Sequence, residues 1–152
     1  MRRTIFVASA LLLCGILSPG LNFSQEKPAP TGPQMTPEDL AKKNPVAPTH
    51  ENLTEARKFF GYNCAMCHGK EGDGKGDLAQ DMKLELHDWR DPSSIEKMTD
   101  GELFWIISNG KGKMPGNAER EKETMRWKYV NLVRSFGKKG AATADKPKTD
   151  NP

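Results

Sequence analysis

The chain has 152 residues, which is enough for one small domain at most; 36% of them are hydrophobic and 28% are charged. Its net charge of +3 depends largely on Arg2 and Arg3, since the residues after the apolar N-terminal segment contain 21 basic and 20 acidic side chains. This balance, without a long basic run or a Gly-rich phosphate loop after a strand-like segment, argues against nucleic-acid and nucleotide binders.

The first predicted element is an export signal in residues 1–24. A basic start is followed by an apolar stretch from Ile5 to Leu17, which is typical of a signal peptide and shorter than the roughly 20 residues of a membrane-spanning helix. Pro19 and Gly20 argue against a longer helix that would stay as an anchor. We therefore expect an exported, periplasmic protein.

Cys14 offers an alternative, because bacterial lipoproteins carry a lipidated Cys just after the apolar stretch. Three leucines precede Cys14, at positions where a lipoprotein signal has small residues, so an ordinary apolar residue of the signal is the favoured interpretation. Contact with a membrane is expected only if the signal is uncleaved or Cys14 is lipidated.

A Pro-rich linker is predicted next, in residues 25–51, with at most a short helical turn at Pro37–Leu40. At the other end, residues 138–152 contain no large apolar side chain and are predicted to form a disordered tail. A folded domain is therefore expected at residues 52–137. Outside the signal the chain is poor in hydrophobic residues, so a group other than aliphatic side chains is expected to fill part of the core.

Three helical segments are predicted in this domain. The first spans Asn52–Phe60 and the second Thr99–Asn109, each with its first residue as N-cap, and Gly110 ends the second. The third spans about Glu121–Ser135 and ends at Gly137. No segment alternates apolar and polar residues for long enough to indicate a strand. The pattern predicts an all-α fold with long loops.

The most specific motif follows the first helix, at Cys64-Ala65-Met66-Cys67-His68. On a helical turn, positions i, i+3 and i+4 share one face, so both thiols and the imidazole point the same way. Thiols at this spacing can add to the two vinyl groups of a haem, with the imidazole below its iron. The motif predicts one covalent haem c, attached through Cys64 and Cys67, with His68 as an iron ligand. Gly69 then lets the chain leave the turn.

Two other chemistries use closely spaced cysteines. A disulfide or a thioredoxin-type redox pair is possible for Cys64 and Cys67, but the adjacent His and the lack of a βαβ pattern argue against it. A zinc site would need two more ligands, and only His50 and His87 remain, at irregular spacing. A haem also supplies the large apolar group that the core lacks.

The sixth iron ligand is predicted to be Met114, in the loop Gly110-Lys-Gly-Lys-Met-Pro-Gly116. Pro115 restricts Met114 to extended geometry and stiffens the loop. His/Met ligation leaves no vacant position for oxygen or peroxide, favours electron transfer and raises the reduction potential relative to bis-His ligation. The alternatives are a bis-His iron with His50 or His87, an open site, or another methionine of the domain (Met82, Met98 or Met125).

These segments together resemble the class I monohaem cytochromes c of bacteria over residues 52–136. The matching pieces are Phe60, Cys64–Gly69, Gly72–Gly76, Thr99–Gly110, Lys113–Pro115 and Trp127–Ser135. The resemblance implies a small cytochrome c fold, with three or more helices packed around one covalently bound haem.

Two departures from the family pattern concern the helix crossing and the iron-binding His. The family crosses its first and last helices at a small and an aromatic residue; Ala56 and Phe60 fill these places on the first helix. Leu132 stands where the last helix usually has an aromatic residue, and Tyr129 is expected to compensate. The family also has a Pro whose carbonyl accepts the Nδ1 proton of the ligand His. Gly76–Leu78 stand there instead, which leaves the acceptor open.

By resemblance the protein is a monomeric electron carrier, and not an enzyme, that receives electrons from a donor protein and passes them to an acceptor protein. One alternative is a cytochrome subunit of an oxidoreductase complex, tethered through the linker. A haem sensor or peroxidatic protein is another, and would require that Met114 does not bind iron. Four lysines predicted to border the haem can dock an acidic partner or form an ordinary solvated surface; they are Lys70, Lys75, Lys111 and Lys113.

Overall fold

The computed structural model describes the backbone of residues 33–144 and the side chains of residues 33–138. The described residues belong to one unit, Gly32–Pro152. The predicted export signal with Cys14, the first part of the linker and the end of the tail lie outside the described residues. Among the described helices, none combines the length and the apolar character that crossing a membrane would need.

Helices form most of this unit, which confirms the predicted all-α fold. In chain order the elements are α1 (Pro37–Ala41), α2 (His50–Asn63), α3 (Ala65–His68), α4 (Asp77–Asp81), a 3-10 helix (Pro92–Ser94), α5 (Asp100–Asn109), β1 (Gly110–Lys111), β2 (Met114–Pro115) and α6 (Glu123–Ala144). The two short strands, which the sequence did not predict, pair antiparallel, with Gly110 opposite Pro115 and Lys111 opposite Met114.

The core lies where α2 packs against α6. Ala56 and Leu132 are fully buried there, so a small side chain on α2 lets the two helices approach closely. Phe60 packs against the ring of Phe136, with centroids 5.6 Å apart. Phe136 lies one turn beyond Leu132 on α6. Tyr129 is buried in the same cluster as Phe60.

Of the two predicted N-caps, the one at Thr99 is present and the one at Asn52 is not. Thr99 caps α5 as predicted, its hydroxyl accepting from the Glu102 N–H at 3.0 Å, and Gly110 ends that helix at φ +84°. The cap of α2 is Thr49 and not Asn52, because the Thr49 backbone is extended and its hydroxyl accepts from the Asn52 N–H.

The predicted end of the last helix at Gly137 is wrong, because α6 continues to Ala144. Gly137 is buried inside the helix, and a Cβ there would lie 3.3 Å from the Trp89 carbonyl oxygen. This glycine therefore allows close packing between α6 and the loop before the 3-10 helix. The first residues of the predicted tail are part of α6.

Part of the predicted linker packs on the domain as a strap, which we define as residues 33–49. The predicted helical turn is present as α1, which lies against α5. The Leu40 carbonyl accepts from the Thr99 hydroxyl at 2.8 Å, and the Asn44 amide donates to the Trp127 carbonyl at 3.1 Å. Val46 packs on the apolar cluster between α5 and α6. The strap is thus fixed to the domain and does not extend away from it.

Candidate haem-binding site

The Cys64–His68 turn consists of Cys64, which ends α2, and the four residues of α3. The N–H groups of Cys67 and His68 both donate to the Cys64 carbonyl, at 3.1 and 2.9 Å, so the predicted helical turn is present. The chain leaves it at Gly69 with φ +74°, where a Cβ would lie 1.9 Å from a carboxylate oxygen of Asp73. Only glycine meets both conditions.

Both thiols of the turn are free and half-buried. Burial raises the pKa of Cys64 to about 11, and the nearby Glu121 carboxylate adds to this effect. The raised pKa disfavours a thiolate at Cys64, which a redox pair would use as its nucleophile. In residues 33–144 no group of three or more His, Cys, Asp or Glu side chains is arranged to hold a metal ion. The structure therefore offers no support for the zinc and redox-pair alternatives.

The imidazole of His68 is positioned to stay neutral. Burial lowers the pKa of His68 to about 4, so a ring nitrogen lone pair is available to a metal at neutral pH. Its Nδ1 atom is buried and has no hydrogen-bond partner among the described residues. The stretch at Gly76–Leu78 supplies no acceptor; instead the Gly76 N–H donates to the Cys67 carbonyl at 3.1 Å.

Trp89 is the side chain of this site that sequence reasoning missed. Its indole stacks on the His68 imidazole, with ring centroids 4.3 Å apart and planes inclined by 20°. The only signal in the sequence was a single large aromatic residue within a polar loop, between Asp88 and Arg90. Such a residue needs a buried partner, but the pattern does not say which one.

Met114 lies on a separate element, β2, at the end of a tight hairpin. It is half-buried, and a Cβ on Gly110 would lie 2.4 Å from the Met114 carbonyl oxygen. The Asn117 N–H ties the following loop back to the Ile107 carbonyl at 3.0 Å. Ile107 packs on the core cluster that also receives Cys64. The hairpin and the Cys–His turn are thus anchored to one core, although no described hydrogen bond or ring contact joins Met114 to His68.

The other candidate ligands have different surroundings. His50 and His87 are exposed. Met125 is a buried member of the core, and Met98 packs on the second apolar cluster. Met82 is 46% exposed at the end of α4. Of the methionines considered, Met114 is the half-buried one in the hairpin that follows α5.

These residues fit a covalent haem. Two free thiols on one helical turn fit covalent attachment, and the neutral imidazole beside them fits one bond to the iron. The Met114 thioether would supply a second bond. Two surface cavities of about 390 and 640 Å³ lie elsewhere, and neither is lined by the predicted ligands.

Residues 51–130 match the family model described as "Cytochrome C oxidase, cbb3-type, subunit III". The match covers more than half of the chain and includes the Cys–His turn and the Met114 hairpin. No curated protein shows significant similarity to the chain. The family is one of c-type cytochromes, which carry haem c covalently, and Cys64 and Cys67 fit its CxxCH attachment motif.

Proposed function

Because the chain belongs to this family of c-type cytochromes, we propose that it is an exported carrier of single electrons, whose one haem c is bound by His68 and Met114. Its attachment points are Cys64 and Cys67. The observation that carries the proposal is the helical turn that brings two free thiols and a neutral imidazole within five residues.

Electron transfer would depend on the haem for its redox chemistry and on the protein for the ligands that hold the iron. Haem c, when bound, supplies an iron that gains and loses one electron. His68 and Met114 would hold the iron, and a pair of ligands kept in both oxidation states would require little rearrangement on electron transfer. The thioether of Met114 favours the reduced iron, and burial of His68 keeps its imidazole from being protonated.

The test is an absorption spectrum of holoprotein made with a c-type haem maturation system, oxidised and reduced, for the wild type and for Met114→Ala. We expect the wild type to show the iron–thioether charge-transfer band when oxidised and to resist carbon monoxide when reduced. Met114→Ala should lose the band, bind carbon monoxide and have a lower reduction potential. Met82→Ala is the matched control, because this exposed methionine is also in the domain. A wild type that binds carbon monoxide readily contradicts electron carriage and favours a sensor or peroxidatic protein.

A second candidate is a subunit of an oxidoreductase complex, favoured by the family description. The electron-transfer residues would be the same. The carrier and the subunit can be distinguished by haem staining of native gels run on extracts of the cells that make the protein. A subunit migrates with its complex, and a carrier migrates alone. Fractionation of the same cells tests export, with the cytoplasmic fraction free of the haem-containing chain if residues 1–24 act as a signal.

We propose that exposed lysines beside the site dock an acidic redox partner. Lys111 and Lys113 flank Gly112 at the tip of the Met114 hairpin, and both are exposed. Replacing both by Gln should slow electron transfer at low salt and weaken its salt dependence. Lys97→Gln, an exposed lysine before α5, is the control. Equal salt dependence in all three proteins would mean that this surface is only solvated.

A further inference from the structure

One face of the His68 imidazole is covered by the indole of Trp89. The two rings are stacked, with centroids 4.3 Å apart and planes inclined by 20°. The indole also lies 6.3 Å from the rings of Phe60 and Phe136. The ring that covers the imidazole is therefore itself held by the core between α2 and α6.

Within residues 33–144, no hydrogen-bond acceptor restrains the second ring nitrogen of His68. A metal-binding histidine ordinarily donates its second ring N–H to a carbonyl, carboxylate or water, which fixes the ring orientation and raises its basicity. Nδ1 of His68 is buried and has no such partner among the described residues. Within that part of the chain, stacking on Trp89 is the contact available to restrain rotation of the imidazole.

The backbone around Trp89 is built to keep the indole in place. The Trp89 N–H donates to the Gly72 carbonyl at 2.8 Å, and the Gly74 N–H donates to the His68 carbonyl at 2.9 Å. Gly72 has φ +75°, and a Cβ there would lie 2.8 Å from the Phe136 ring. The same glycine-rich loop thus holds the backbones of both stacked residues, and only glycine fits where it meets α6.

Starting from the proposed function, in which His68 binds the iron, we propose that Trp89 is the positioning residue of this ligand. Its indole fixes the plane of the imidazole by stacking, and it keeps water away from Nδ1. The unpaired Nδ1 makes the imidazole a weaker donor than a hydrogen-bonded one, which favours the reduced iron. Orientation and potential are then both set by one side chain outside the attachment motif.

The test compares holoprotein variants Trp89→Leu and Trp89→Phe by reduction potential and by the electron paramagnetic resonance of the oxidised iron. Trp89→Leu admits water to Nδ1 and frees the ring, so the potential should fall and the signal should broaden or shift. Trp89→Phe keeps a stacking ring and should restore most of the wild-type values. Trp127→Leu is the matched control, since Trp127 stacks on Phe104 in the second cluster at 3.9 Å.

If Trp89 has only a structural role, Trp89→Leu should behave like Trp127→Leu. Both variants would then be less stable, with an unchanged reduction potential and an unchanged paramagnetic resonance signal. That result overturns the inference and leaves the proposed function intact. A wild type without a low-spin, His/Met-type spectrum contradicts the proposed function itself. Failure of the inference is therefore seen in the Trp89→Leu variant, and failure of the proposed function is seen in the wild type.

A measurement on the wild type decides the matter if Trp89→Leu yields no holoprotein. Nuclear magnetic resonance of the reduced protein should show cross-relaxation between the Trp89 and His68 rings, and a Nδ1 proton that exchanges slowly with water but has no acceptor. A Nδ1 proton that is hydrogen-bonded, or that exchanges rapidly, would contradict the inference.

Discussion

Asn44 in the strap and Asn131 in α6 are joined by a closed set of side-chain hydrogen bonds. The Asn44 amide donates to the Asn131 side-chain oxygen at 2.9 Å, and the Asn131 amide donates to the Val46 carbonyl at 2.8 Å. The Val46 N–H donates to the Asn44 side-chain oxygen at 2.9 Å, which closes the set. These hydrogen bonds hold the strap against α6 through the two side-chain amides. They therefore fix the position at which the chain before α2 crosses α6.

The first prediction is that Asn131→Ala releases the strap. The substitution removes the Asn131 acceptor from the Asn44 amide, which keeps its bond to the Trp127 carbonyl, and it removes the side-chain donor from the Val46 carbonyl. The loss should lower the free energy of unfolding by about 2 kcal/mol and expose residues 33–49 to proteolysis. Asn131→Asp keeps the acceptor and loses the donor, so it should be intermediate. Asn109→Ala is the control, because that side chain is exposed. Denaturant unfolding and limited proteolysis measure both effects; an unchanged cleavage pattern would refute the prediction.

Gly101→Ala tests the other contact of the strap. A Cβ on Gly101 would lie 2.0 Å from the Asp39 carbonyl oxygen, and this backbone atom cannot move without shifting α1. We expect a loss of about 1–3 kcal/mol of unfolding free energy. Gly61→Ala makes the same change in α2 with nothing within 4 Å of the new atom, and it should stabilise by about 0.5–1 kcal/mol. Denaturant midpoints that move the same way in both variants would contradict this.

The attachment turn was predictable because its chemistry is local. Cys64, Cys67 and His68 fall within one helical turn, and their spacing alone places them on one face. The cap at Thr99 and the left-handed stop at Gly110 are also local, and both are as expected. The ligand role of Met114 depends on a resemblance and on a stiff loop, and it stays a prediction.

What the sequence missed depends on contacts between distant residues. Trp89 reaches His68 across a glycine-rich loop, and no periodicity describes that loop. Glycine often ends a helix, but Gly137 lies inside α6, where a Cβ would make a tight 3.3 Å contact with the Trp89 carbonyl oxygen. The strap looked like a linker because it is rich in proline and poor in large apolar residues. It is held by amides and carbonyls, and these do not appear in a hydrophobic pattern.

Arg134 should contribute more to stability than any surface ion pair of the domain. Its guanidinium donates to the carbonyls of Ile95 and Met98, at 2.8 and 2.5 Å, and to Asp100 at 3.0 Å. Arg134→Ala removes the guanidinium donor from the Met98 carbonyl and one of two donors from the Ile95 carbonyl, which keeps the Met98 N–H at 3.1 Å. The change should cost about 2–4 kcal/mol. Arg134→Lys cannot reach all three acceptors and should recover only part of this.

The matched control for Arg134 is Arg90→Ala. Arg90 pairs with Asp88 at 2.6 Å on the surface, and it lowers the pKa of that carboxyl. Exposed pairs of this kind contribute about 0–1 kcal/mol. Thermal or denaturant unfolding that ranks Arg90→Ala equal to Arg134→Ala would show that the carbonyls of Ile95 and Met98 do not need the guanidinium.

Tyr129 predicts how stability changes at alkaline pH. The phenol is buried and donates to the Glu121 carboxylate at 3.2 Å; burial raises the pKa of Tyr129, and the charge of Glu121 adds to the shift. The unfolded phenol loses its proton above about pH 10, while the folded one keeps it. The folded state then binds more protons, so its stability falls as the pH rises.

Tyr129→Phe should lose less stability than the wild type between about pH 8 and pH 11 in denaturant unfolding. Tyr62→Phe controls for loss of a phenol, since Tyr62 is 69% exposed; equal losses in the wild type and Tyr129→Phe would show that this hydroxyl is not the group that titrates.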